Sequence, residues 1–236
     1  GHPKARSPVV HGFSTGYRQE PGDIGCRRGF AGVIGHREHA RLVLASASET
    51  RARILLNVGI DFLRDPADVD ETAIKLRCRR EGLGAEEAAV VLAEEKARAV
   101  VARHPGALVI GADQLLVSGE DWLDKPSGPD QARETLRRLR NRRHRLISGL
   151  AILRDDAVLC RHVEVAELTM RDYSDRFIDW YIGAAEEADL QVVGACRLEG
   201  LGAQAFARID GDYFTILGLP LLPLLDVMRR EAMLVD

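Results

Sequence analysis

From residue 42 onward, short apolar runs alternate with segments whose apolar residues recur every three or four positions. These are the signatures of buried strands and amphipathic helices. Leu42-Val43-Leu44-Ala45 predicts a short buried strand. Ser48 stands where it can cap a helix running to Val58, with Gly59 just past its end. Residues 60–63 predict a second strand, and helices follow over 72–80 and 85–103, the latter closed by His104-Pro105-Gly106. Residues 107–112 are apolar throughout, as in a strand covered on both faces, and the strand resumes at 115–117 after two polar residues. Pro129 opens a helix with Ala132, Leu136 and Leu139 on one face. Strands over 146–153 and 158–169 face each other across Arg154-Asp155-Asp156. Ser174 caps a helix whose inner face is Phe177, Ile178, Tyr181 and Ile182, and a last helix spans 221–233. Strands and helices mixed in this way predict an α/β protein with a mixed sheet.

Residues 1–41 follow neither period. They are rich in glycine and arginine and poor in acids, and read as a flexible extension ahead of a folded domain over 42–236. An Arg-rich, acid-poor leader also resembles a transit peptide, but its glycines and prolines suit an amphipathic helix badly.

Composition narrows the classes. With 236 residues, 46% of them hydrophobic and 29% charged, the chain can bury a full core. No apolar run reaches the roughly 18 residues needed to span a bilayer, so no membrane partner is expected. A formal charge of -3 argues against nucleic acid as a general partner. One basic run, residues 137–145, reads as a solvated helix end and turn. Cys26, Cys78, Cys160 and Cys196 form no C-x-x-C pair, as expected for reduced thiols of a cytoplasmic protein. His36 and His39 lie where there is no core pattern, and their spacing reads as accidental.

Four places break the local rules, and such breaks tend to mark function. In Ser46-Ala47-Ser48-Glu49-Thr50-Arg51 a strand ends in small hydroxyl residues and Arg51 falls in the first turn of a helix, where a cation opposes the dipole. Backbone N–H groups, hydroxyls and a guanidinium together make a phosphate site, the alternative being a plain serine cap with a solvated arginine. Lys96 falls in the middle of the apolar face formed by Ala88, Ala89, Leu92, Ala99 and Val100. An ammonium there needs a carboxylate or a phosphate, unless it snorkels past the core edge. Asp113 interrupts an apolar run near a strand end, where α/β proteins place catalytic groups and where a turn-forming aspartate is the alternative. In Asp124-Lys125-Pro126 the proline holds Lys125 extended.

Together these pieces resemble the Maf family of nucleotide pyrophosphatases from about Leu42 to Arg230. The landmarks in order are Leu44-Ala45-Ser46-Ala47-Ser48, Asp68-Val69-Asp70-Glu71, Ala93-Glu94-Glu95-Lys96-Ala97, Ile110-Gly111-Ala112-Asp113 and Asp124-Lys125-Pro126. Glu199-Gly200-Leu201-Gly202, Asp210-Gly211-Asp212-Tyr213-Phe214 and Leu217-Gly218-Leu219-Pro220 complete the set. The resemblance implies an elongated mixed twisted sheet flanked by helices, with two lobes around a nucleotide cleft, as in inosine triphosphatases, and commonly a homodimer. It implies hydrolysis between the α- and β-phosphates, an attack on an acid anhydride, with a divalent metal. Asp113 falls on the family's proton acceptor, and Ser48, Arg51, Glu71, Lys96 and Lys125 on its other polar pocket residues.

Three departures concern the base. Glu49-Thr50-Arg51 stands where many members have Pro-Arg-Arg, Gln114 replaces a common threonine, and Glu199 replaces a glutamine. Thr50, Gln114 and Glu199 occupy positions where family branches differ in base preference. The Gln114 and Glu199 pair looks like the branch acting on 7-methyl-GTP, although that branch usually carries tryptophan at the position of Thr50. Arg51, Lys96 and Lys125 then balance most of a triphosphate's charge, and one Mg²⁺ or Mn²⁺ held by Glu71 and Asp113 with phosphate oxygens completes it. Either Asp113 or Glu71 could take the proton of the attacking water. The expected role is housecleaning of the nucleotide pool, with a link to cell-division arrest. Two rivals remain: a nucleotide-sensing regulator of septum formation without turnover, and an RNA-binding module built from residues 1–41 and the basic run.

Overall fold

The computed structural model describes residues 42–235. The extension read over 1–41, with Cys26, His36 and His39, lies outside the described residues. In chain order the elements are β1 (Leu42–Leu44), α1 (Glu49–Asn57), β2 (Leu63–Arg64), α2 (Glu71–Arg80), α3 (Ala85–Val101), β3 (Leu108–Ser118) and β4 (Asp121–Leu123). Then come α4 (Pro129–Leu139), β5 (Arg143–Arg154), β6 (Ala157–Met170), α5 (Asp175–Ala184), α6 (Glu187–Leu190), β7 (Phe206–Asp210), α7 (Tyr213–Ile216) and α8 (Leu221–Arg230). Short 3-10 turns lie at Val193–Ala195 and Gly200–Ala205.

The strands form one mixed sheet in the order β2-β1-β3-β5-β6-β7, with β4 also on β3. β1 runs parallel to β2 and β3, and the remaining pairs are antiparallel. This is the expected mixed α/β architecture. Two expectations shift. The strand read at 60–63 appears only at Leu63–Arg64, because α1 uses the intervening residues to close its end. Gly59, at φ 74°, donates to the Leu56 carbonyl and Ile60 donates to that of Leu55. The strand read as two halves around Asp113 and Gln114 is one continuous strand, since its ladder with β5 runs unbroken from Val109 to Val117. Asp113 therefore makes no turn.

Side chains alternate across β3. Val109, Gly111, Asp113, Leu115 and Val117 face α3; Leu108, Ile110, Ala112, Gln114 and Leu116 face the other helices. On each face the core is interrupted at the same height. On one side Asp113 separates a cluster around Val109, Ala93 and Ala97 from one around Leu115, Leu92 and Ile147. On the other, Gln114 and Ser148 separate a core under α1 and α8 from one under α4 and α5. A polar belt thus divides the described residues into two lobes.

Glycine sets the depth of α3 on the sheet. A Cβ at Gly111 would stand 1.9 Å from the Ala93 carbonyl oxygen, and one at Gly149, directly across the ladder from Asp113, 2.2 Å from that of Ala89. Only bare backbone lets the helix lie that close. The close approach carries Lys96, one turn beyond Ala93, to the height of Asp113.

Candidate active site

The cleft opens where the edge of β3 is bare. β1 pairs with it only as far as Ile110, and pairing with β4 starts only at Leu116. Between them Gly111 to Leu115 offer an unpaired edge, so Asp113 and Gln114, which point to opposite faces, both border one cleft of about 390 Å³. Ser48, Thr50, Arg51, Glu71, Lys75 and Lys125 line the rest of its polar wall.

Glu71 arrives at the first residue of α2, whose cap is Asp70, accepting from the Ala73 amide at 2.9 Å. Lys96 reaches between two carboxylates: its Nζ lies 2.7 Å from Glu71 Oε1 and 2.5 Å from Asp113 Oδ1. Lys96 is 8% and Asp113 4% exposed, whereas the Glu71 side chain is 45% exposed. Lys96 therefore meets a carboxylate and does not snorkel. Burial pushes the Glu71 carboxyl up, but Lys96, with Lys75 and Lys125 behind it, outweighs burial and holds it below its usual value. The Lys125 ammonium is pushed down by desolvation and then by Arg51, against the pull of Glu71.

Ser48 caps α1 by accepting from the Arg51 amide at 3.4 Å. Arg51 itself is buried and largely committed. Its Nε donates to the Gly218 carbonyl at 2.7 Å, and Nη1 to Ser46 Oγ at 3.0 Å and to the Ala112 carbonyl at 2.9 Å. The last of these satisfies a carbonyl of the bare strand edge. Desolvation lowers its pKa, opposed by Asp113 and Glu71. Arg51 is thus first a strut that fixes the serine loop to the sheet, with Nη2 left toward Gly218 and the cleft. Arg64, which sequence reasoning missed, braces the same loop through the carbonyls of Ser46 and Ala47.

Beside the cleft lies a smaller, mainly apolar pocket of about 70 Å³ that shares Thr50, Gln114, Val192, Val193 and Leu217 with it. Thr50, Gln114 and Glu199 all line this pocket. Gln114 Nε2 donates to Ser148 Oγ and to the carbonyls of Thr215 and Ile216, each at 3.0 Å, so Oε1 remains as its acceptor. Glu199 accepts from Arg53 Nη2 at 3.0 Å and from the Tyr213 hydroxyl at 3.4 Å. Ser148, Thr215, Arg53 and His144 were not singled out from the sequence; each is an ordinary residue until the fold sets its neighbour.

The family model described as Maf-like protein matches residues 41–231. The chain belongs to the Maf-like family. A nucleoside triphosphate pyrophosphatase of Paramagnetospirillum magneticum is 49% identical over 82% of this chain and 100% of its own length. A 7-methyl-GTP pyrophosphatase of Brucella abortus is 46% identical over 81% of this chain and 96% of its own. Among solved structures, a nucleoside-triphosphatase (dITP/XTP pyrophosphatase) from Mycobacterium abscessus aligns over 81% of this chain and 95% of its own, at 14% identity and a TM-score of 0.39. Within this Maf-like chain, the eight residues Ser48, Thr50, Arg51, Glu71, Lys96, Asp113, Gln114 and Lys125 gather at one belt, with Ser46 behind them and Glu199 at the pocket rim.

Five of the six arginines of the basic run sit in surface ion pairs. Arg137 and Arg140 meet Asp175, Arg138 meets Asp121, Arg143 meets Glu167 and Arg145 meets Glu86. It is a helix end, a turn at Asn141 (φ 52°) and the start of β5. No helix among the described residues is long and apolar enough to cross a membrane.

Proposed function

We propose that the protein hydrolyses a nucleoside triphosphate to the monophosphate and pyrophosphate. The observation that carries this reading is the convergence of Glu71 and Asp113 on Lys96 at the bare edge of β3, inside a cleft also lined by Ser48, Arg51 and Lys125. Relatives bearing the names of such hydrolases support it.

Asp113 is the proton acceptor in this reading. A water attacks the α-phosphorus, a new P–O bond forms, the bond to the α,β-bridging oxygen breaks, and pyrophosphate leaves. The water's proton passes to Asp113, whose Oδ1 is held by Lys96 so that Oδ2 faces the reaction. Lys125 and the serine-loop amides bind phosphate oxygens, and Arg51 fixes the loop that presents them.

Glu71, with Asp113 beside it, fits a divalent cation. Glu71 has one oxygen engaged by Lys96 and one left over for the cation, which leaves Asp113 Oδ2 for the water's proton, and Mg²⁺ favours one or two carboxylates completed by substrate phosphates. Among the described residues no three His, Cys, Asp or Glu form a ready-made metal cage. Bound there, Mg²⁺ or Mn²⁺ supplies neutralisation of phosphate charge.

The substrate class proposed is a guanine-type triphosphate, including 7-methyl-GTP. Gln114 can only accept through Oε1, and Glu199 only accepts, so both favour a base edge rich in N–H donors. Hydrogen bonds to a charged acceptor are worth about 1.5–3 kcal/mol, or roughly ten- to a hundredfold in discrimination. A turnover screen with GTP, 7-methyl-GTP, dTTP and UTP, each with Mg²⁺, tests both levels. Pyrophosphate release with the highest kcat/KM on guanine-type substrates, narrowed in Glu199→Gln, is expected. Preference for dTTP or UTP would remove the base assignment, and no pyrophosphate from any would remove the hydrolase reading in favour of a non-catalytic nucleotide sensor. A cytoplasmic homodimer without nucleic-acid or membrane partners, its hydrolase domain spanning 42–236, belongs to the same proposal; the surface ion pairs of five of the basic run's six arginines support the absence of RNA binding.

A further inference from the structure

His144 lies on β5, two residues before Leu146 and four before Ser148, on the face that also carries Gln114. It lines the apolar pocket beside the cleft and is 3% exposed. Its ring lies by the Arg142 backbone, and Nδ1 is buried with no hydrogen-bond partner. Buried polar atoms are nearly always satisfied, so one left open in a pocket wall asks what completes it. The other polar side chains there already hold partners within the protein, with Gln114 Oε1 kept as an acceptor. Gln114 is pinned through Nε2 to the α7 carbonyls, Glu199 is held by Arg53, and the Arg197 guanidinium is paired with Asp189 at 3.2 Å, though its Nε is unpartnered.

The pocket has apolar walls from Leu116, Leu146, Met170 and Phe206 and opens into the phosphate cleft through Thr50 and Gln114. Its 70 Å³ exceeds severalfold the roughly 10–15 Å³ that one water needs. A heteroaromatic ring with a polar edge matches apolar walls that carry a few polar groups. We propose that His144, in the pocket where Thr50, Gln114 and Glu199 are placed to meet the nucleobase, hydrogen-bonds the polar edge of that base through its imidazole, making His144 a further specificity-determining residue. The inference rests on the reading of the cleft as a triphosphate site and adds to Gln114 and Glu199 a third group that selects the base. Burial holds the imidazole uncharged at neutral pH, so it offers one donor and one acceptor nitrogen and adds no charge to the pocket.

The test separates base from phosphate. Calorimetry with Mg²⁺ measures binding of guanosine and uridine triphosphates carrying a methylene between the α- and β-phosphates, and of inorganic tripolyphosphate, which has no base. His144→Phe and His144→Leu should each weaken the tighter-binding nucleotide by about tenfold or more. Tripolyphosphate affinity should stay unchanged, and His144→Gln should restore part of the loss. On the wild type, the ¹⁵N resonances of His144 should move with the nucleotide analogue and not with tripolyphosphate, which decides the matter even if the variants fold poorly. Equal losses for tripolyphosphate, no loss for the nucleotide, or immobile His144 resonances would overturn the proposal. Turnover is not part of this readout, so a wild type that binds the base but releases no pyrophosphate would remove the hydrolase reading alone.

Discussion

Lys96 holds two carboxylates at once, and its removal would strand one that is 4% exposed. Glu71 is far better placed to turn to water than Asp113. Lys96→Met should therefore lower the stability of the ligand-free protein by about 3 kcal/mol, the low end for breaking a buried pair. Urea unfolding measures it, and an unchanged midpoint would mean that Asp113 finds another cation. The sequence alone left open whether this ammonium met a carboxylate, met a phosphate or snorkelled, because periodicity places a side chain on a face without saying what faces it. His144 shows the limit more sharply. It occupies an inward position of an alternating strand, yet only the packing makes it a group without a partner. Its folded pKa of about 4 lies below the ordinary 6.5, so the unfolded chain takes up this proton first as pH falls. Its contribution is neutral above about pH 6.5, becomes destabilising as pH falls, and levels off near 4, at a cost of at most roughly 3 kcal/mol. The stability difference between wild type and His144→Phe should shift toward the variant from pH 7 to pH 4.5. A difference independent of pH would contradict the burial of the imidazole.

At the scale of elements, α3 and β3 make the site, and Gly111 and Gly149 let them touch. Gly111→Ala should cost about 3 kcal/mol or more, since the new methyl meets backbone, and should also lower kcat by moving Lys96 from Asp113. Gly183→Ala is the control: it sits on an open face of α5, where alanine should stabilise by about 1 kcal/mol. Chemical denaturation of both separates close packing from helix propensity. Two similar destabilisations would argue against the contact. The long elements were legible because their periods are clean: α4 carries Ala132, Leu136 and Leu139 inward as expected. β4, β7, α6 and α7 were not, for each is three to five residues long and owes its form to neighbours. β7 shows mostly exposed side chains and exists through its ladder with β6, and backbone pairing of that kind leaves little trace in a hydrophobic pattern.

For the whole molecule, two lobes meet along a polar belt that runs through both faces of the sheet. The motifs that pointed to function, from Ser46 to Glu199, are scattered over more than half of the chain and lie together only along that belt. Their residue types were readable because charged groups in apolar runs are costly and so conspicuous. Their division of labour was not: Arg51 proved mostly a strut and Gln114 a pinned acceptor, which depend on carbonyls of Gly218, Thr215 and Ile216 brought in from the far end of the chain. The central claim is that this belt hydrolyses the α,β-anhydride with Asp113 as base. The most direct measurement compares products from wild type and Asp113→Asn with a guanine triphosphate and Mg²⁺. One pyrophosphate per monophosphate from wild type, with kcat reduced about 10²- to 10⁴-fold in the variant and nucleotide affinity nearly intact, is predicted. Release of inorganic phosphate with a diphosphate product, or a variant keeping more than about a tenth of wild-type kcat, would contradict it.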